Sequence, residues 1–146
     1  MSSPSPDQIA ARAALHAPGR EGSGVRILLI EDEPAVAAFL CSALERHGYE
    51  VLPSPSAAEG LRLLAAGNFH GVISDFRTPG GISGADVHDW LVRHRPALAE
   101  RIIFITGDTA SHETIALLAQ AGTPCIEKPF RVHQLMAAVE KTIGKP

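Results

Sequence analysis

The sequence predicts an α/β fold, an open and doubly wound parallel sheet of five strands with helices on both faces. Three observations lead there. From Val25 onward, short apolar runs alternate with helical patterns five times, the signature of a parallel sheet covered on both sides. A chain of 146 residues that is 45% hydrophobic and 20% charged has the size and composition of one domain around one core. No repeat at a fixed period is present, and right-handed crossovers then give an open sheet.

Taken in order, residues 1–24 are rich in Ser, Pro, Ala and Gly and have a linker's composition. Within them Ser5-Pro6-Asp7-Gln8 offers an N-cap, a first-turn proline and a Gln at the third helical position, which predicts a short helix to about His16. The domain proper is expected over 25–146, with strands at 25–30, 50–53, 71–75, 101–106 and 124–127. The first helix follows Glu31-Asp32-Glu33 with Pro34 just inside it. Val36, Phe39, Leu40, Ala43 and Leu44 recur at helical spacing, and His47-Gly48 ends it. Ser56 to Glu59 reads as a capping box opening the second helix, which turns Leu61 and Leu64 inward. The third carries Val87, Trp90 and Leu91 and is closed by Pro96. A fourth is expected from Ser111 to Ala121 with Gly122 at its end, and a fifth presents Val132, Leu135, Met136, Val139 and Ile143.

Composition excludes several classes of function. A formal net charge of −3 without a basic run argues against a nucleic-acid binder. Cys41 and Cys125 stand far apart, so neither a disulfide framework nor a zinc site is expected, and free thiols suit a reducing, cytoplasmic setting. No apolar run approaches the roughly 18 residues of a membrane span, and no charged segment opens a signal peptide. The seven histidines are scattered singly and give no metal pattern.

Sheets of this kind bind ligands at the carboxyl ends of their strands. Reading off those ends collects Glu31 and Asp32 after the first strand, Asp75 ending the third, Thr106 ending the fourth and Lys128 after the fifth. Alone, each has an ordinary explanation as a helix-start charge, a turn starter, a cap or a surface cation. Their joint arrival at one rim is not explained by capping. Two carboxylates about 6 Å apart repel by roughly 3 kcal/mol at an effective dielectric near 20, so the cluster requires cations. Lys128 is one, and a hard divalent ion with oxygen ligands is the natural second. Mg²⁺ suits a site of one or two carboxylates that keeps waters and recruits a phosphate oxygen. A carboxylate nucleophile, a dication and an ammonium together form phosphoryl-transfer machinery, to which Thr106 adds a hydroxyl donor.

Four segments in this order resemble the response-regulator receiver domains of two-component signalling. They are Ile27-Leu28-Leu29-Ile30-Glu31-Asp32-Glu33-Pro34, Val72-Ile73-Ser74-Asp75-Phe76-Arg77-Thr78-Pro79-Gly80-Gly81, Ile103-Phe104-Ile105-Thr106-Gly107-Asp108 and Glu127-Lys128-Pro129-Phe130. The resemblance runs from about Val25 to Ile143. It implies a flavodoxin-like (βα)5 fold with strand order 2-1-3-4-5, and a phosphoryl group received from a phosphohistidine on a histidine kinase or histidine phosphotransfer protein. By position it makes Asp75 the phosphoacceptor and Asp32 a direct Mg²⁺ ligand. Glu31 acts on the metal directly or through water, the backbone carbonyl of Arg77 completes the protein's ligands, and Lys128-Pro129 is a cis peptide.

The chain departs from the family pattern in two places. The loop after Asp75 is one residue longer than the common form and has Thr78 where Met is frequent, a wording similar to receivers attached to hybrid histidine kinases. Cys125 stands where the family usually carries a Tyr or Phe that turns inward when Thr106 engages the phosphoryl group. Arg77 and Asp108 flank the water's route in the family, and they are expected to pair across the site mouth and slow hydrolysis. The 18 residues after Lys128 hold one helix, so the expected output is protein contact, onward transfer or feedback on a kinase. The resemblance places such contact, and a homodimer, on the face of the fourth helix, fifth strand and fifth helix. Two other readings stand beside this one. One is a receiver-like interaction module that is never phosphorylated; the other is an aspartyl-phosphate hydrolase, which would want an acid where Arg77 stands.

Overall fold

The computed structural model describes residues 24–76, 82–107 and 122–146. The N-terminal extension with its expected helix, the segment from Arg77 to Gly81, and 108–121 with the fourth expected helix lie outside the described residues. Within them the order is β1 (Arg26–Ile30), α1 (Pro34–Arg46), β2 (Glu50–Ser54), α2 (Ala57–Ala66), β3 (Gly71–Asp75), α3 (Gly84–His94), α4 (Pro96–Ala99), β4 (Ile102–Thr106), β5 (Cys125–Glu127) and α5 (Val132–Thr142).

The strands pair in parallel in the order β2-β1-β3-β4-β5. Successive side chains of a strand point to opposite faces, and the core divides accordingly. Leu28, Ile30, Val72 and Phe104 pack on one side with Leu63 and Leu64 of α2 and Val87 and Leu91 of α3. Ile27, Leu29, Ile73, Ile103 and Ile105 pack on the other with Leu40 and Leu44 of α1 and Leu135, Met136 and Val139 of α5. Strand order reverses between β1 and β3, which opens a crevice at their carboxyl ends.

The helices start and stop for local reasons. Pro34 occupies the first turn of α1, and Gly48 leaves that helix at φ +95°, where a Cβ is disfavoured. Of the expected capping box at α2 one half is present: Ser56 accepts from the Glu59 N–H at 3.2 Å. A complete box opens α3 instead. The Asp86 N–H donates to Ser83 Oγ at 3.4 Å and the Ser83 N–H to Asp86 Oδ2 at 2.8 Å. Two expectations are corrected. Pro96 does more than close the third helix, because it is also the first residue of the short α4. Phe39, at helical spacing with the inward residues of α1, is 43% exposed, its ring centroid 6.4 Å from that of Phe130. The apolar stripe is wider than the surface it covers, and Phe39 lies on its margin.

Candidate functional site

Because all five strands run the same way, their last residues reach the same rim. Ile30 aligns with Ser74, Asp75 with Ile105 and Thr106 with Glu127, so the ends fall nearly in line. Glu31 and Asp32 leave β1 there, Asp75 and Thr106 close β3 and β4, and Lys128 follows β5. The structure thus brings Glu31, Asp32, Asp75 and Lys128 together. Arg77 and Asp108 lie outside the described residues, so their pairing and the Arg77 carbonyl are not part of the geometry.

Glu31, Asp32 and Asp75 each present a carboxylate oxygen, and the three oxygens lie within 4.8 Å of one another. Glu31 and Asp75 are buried and Asp32 faces solvent. The Lys128 ammonium sits among the acids, 3.3 Å from Glu31 Oε2, 3.6 Å from Asp75 Oδ2 and 3.7 Å from Glu33 Oε1. The other Glu31 oxygen accepts from the Glu33 backbone N–H at 3.1 Å, and the Glu31 N–H donates to the Ser54 carbonyl at 3.0 Å, which fixes this side chain at the head of the crevice.

Burial dominates the charge state of Glu31 and raises its pKa, with Asp75 adding to the rise while the Glu33 N–H and Lys128 oppose it. For Lys128 burial pulls downward, but Asp75, Glu31 and Glu33 together outweigh it, and the net shift is upward. Lys128 is therefore a firmly charged ammonium. Its own N–H donates to the Thr106 carbonyl at 2.7 Å, and its bond to Pro129 is cis.

Thr106 is buried, and its hydroxyl lies 3.7 Å from the Cys125 sulfur. Burial raises the Cys125 thiol pKa, the Thr106 contact working against the rise and Glu127 with it. The ends of the loop after Asp75 are anchored: the Phe76 N–H donates to Ile105 at 2.9 Å, the Gly84 N–H to Phe76 at 2.8 Å, and the Phe76 ring meets Phe104 edge-on at 5.3 Å.

The donor set fits a small hard cation. All three ligands are carboxylate oxygens, and they stand up to 4.8 Å apart where ligands of one octahedral Mg²⁺ stand about 3 to 4 Å apart, so the side chains would draw in or bind partly through water. Glu33 is the site residue that sequence reasoning missed. It reads as part of a helix start, and only the fold shows that its carboxylate and its N–H both serve the cluster.

Residues 27–140 match the family described as response regulator receiver domain. The transcriptional regulatory protein TcrA of Mycobacterium tuberculosis is 35% identical over 118 residues, which cover 79% of this chain and 44% of that protein. The chain thus spans less than half the length of this relative. The response regulator TrrA of Thermotoga maritima, solved in complex with Mg²⁺ and BeF, superposes with a TM-score of 0.71 at 30% identity, covering 82% of this chain and 99% of that one. The signal receiver domain of a signal transduction histidine kinase from Syntrophus aciditrophicus gives 0.70 at 25% identity, over 82% and 90%. Among the described residues no helix is long and apolar enough to cross a membrane. With its flavodoxin-like sheet, its strand-end acid cluster and a family match over most of its length, the chain belongs to the response regulator receiver domains.

Proposed function

We propose that the receiver domain, residues 25–146, takes a phosphoryl group from a phosphohistidine onto Asp75 and signals by protein contact in the cytoplasm. The observation that carries this reading is the Lys128 ammonium, held within 3.3 to 3.7 Å of Glu31, Asp75 and Glu33 beside an exposed Asp32. In the transfer an Asp75 oxygen attacks phosphorus, an O–P bond forms, the N–P bond to the donor imidazole breaks, and the electron pair leaves with that nitrogen. Glu31, Asp32, Asp75 and the Arg77 carbonyl would hold Mg²⁺, which would supply positive charge to the phosphoryl oxygens. Lys128 exchanges part of its contact with Asp75 for a phosphoryl oxygen, and Thr106 turns its hydroxyl from Cys125 to another. The Mg²⁺-bound relative from Thermotoga maritima supports the choice of metal. The receiver of a histidine kinase among the solved neighbours supports a histidine kinase or phosphotransfer protein as donor. The face that includes β5 and α5 serves for output and for a homodimer.

Incubation with acetyl phosphate and Mg²⁺ tests the reading by mass spectrometry. One phosphoryl unit on Asp75, absent in Asp75→Asn and without Mg²⁺, is the expected result. Absence of label would make the chain an interaction module, and continuous turnover of acetyl phosphate would make it a hydrolase.

A further inference from the structure

At the opposite rim, where the strands begin, a crevice of about 390 Å³ opens between the end of α2, the approach to β3 and the turn joining α3 to α4. Its apolar lining includes Leu64, Phe69 and Leu98, and its polar lining includes His70, His94, Arg95 and Arg101. No carboxylate stands among the described residues lining it. Leu64 and Leu98 are buried, whereas Arg95 and Arg101 are exposed.

The wall is held in place by Arg26. Its guanidinium lies 5.1 Å from the centre of the Phe69 ring and donates to the Asn68 carbonyl at 2.8 Å, and its charge is met by Glu50 at 3.5 Å. The Arg26 N–H donates to His70 Nδ1 at 3.0 Å, so a neutral His70 carries its proton on Nε2 and offers it as a donor. His94 rests against Trp90 with ring centroids 4.8 Å apart. Arg95 gives one N–H to the His94 carbonyl at 3.1 Å.

We propose that this crevice binds a small amphiphilic anion, with an apolar body of one or two rings and a single carboxylate, sulfonate or phosphate group. The volume lies in the range of small-ligand pockets. An apolar body covers Phe69, Pro96 and Ala97, with Leu64 and Leu98 forming the floor beneath. The anionic head meets two permanently charged guanidinium forks and no lining acid that would repel it. The site shares no residue with the acidic rim and stands whether or not Asp75 is phosphorylated.

The probe is 8-anilinonaphthalene-1-sulfonate, titrated into the folded 146-residue chain at neutral pH and low salt, beside uncharged N-phenyl-1-naphthylamine. The expected result is one equivalent of the sulfonate, with amide shifts confined to 64–71 and 94–101. The uncharged analogue and the Arg95→Gln/Arg101→Gln variant, its fold checked by circular dichroism, should each bind about tenfold more weakly, equivalent to about 1.4 kcal/mol. Equal binding of the two probes, undiminished binding by the variant, or shifts centred elsewhere would overturn the proposal.

Discussion

Lys128 governs the metal-free site, because its ammonium is the counter-charge for a Glu31 side chain with no exposed surface. Lys128→Ala leaves that carboxylate without its ion pair and should cost about 1–3 kcal/mol of stability in urea melts without Mg²⁺. The same variant should bind Mg²⁺ several-fold more tightly, since a competing cation has gone, while accepting phosphoryl groups at least tenfold more slowly. Parallel loss of metal binding would show that Lys128 organises the acids rather than serving the transferred group. Glu31 adds a pH dependence. Burial raises its pKa above the ordinary 4.5, so the folded chain holds that proton more tightly than the unfolded chain. The resulting stability is complete below 4.5 and lost as pH rises through the folded value. Without metal, wild type should therefore lose stability relative to Glu31→Gln as pH rises above that point, and superimposable pH profiles would refute the burial argument. These residues were legible because each ends or follows an apolar strand. The supporting contacts of Glu33 and the meeting of Thr106 with Cys125 were not, because they depend on how separate strands align.

At the scale of elements, close packing of β3 against the chain's last turn makes a sharp test. A Cβ added at Gly71 would stand 2.5–2.6 Å from three carbons of Ile143, too many to evade by one rotamer. Gly71→Ala should destabilise the fold by about 1–3 kcal/mol in chemical denaturation; a change within error would mean that the last turn yields freely. The strands could be read to within one residue because they are apolar runs bounded by turn residues. Helix periodicity was less decisive. It names a stripe without its width, which is why Phe39 counted as inward, and Trp90 is only partly buried for the same reason. The box at Ser83 and Asp86 was obscured by the preceding Pro79, Gly80 and Gly81, which offer several equivalent places to begin a helix. Pro96 can end one helix and start the next, and sequence alone favours the first use.

For the whole molecule, Mg²⁺ binding should couple to global stability, since the ligands come from the ends of two strands whose alignment is the fold itself. At ten times its dissociation constant the ion should add about 1.4 kcal/mol and raise the melting temperature by roughly 3–6 °C. The rise should vanish with chelator or in Asp32→Asn; an unchanged melting point in wild type would remove the acid cluster as a metal site. The pairing of Glu31 with Lys128 spans 97 positions. No contiguous fragment from either half of the polypeptide holds both, so on the proposed reading a nascent or clipped chain would present an incomplete cluster to a phosphoryl donor. Under that reading, competence to be charged would be a certificate of completed winding, and signalling would be denied to unfinished molecules without any separate inspection.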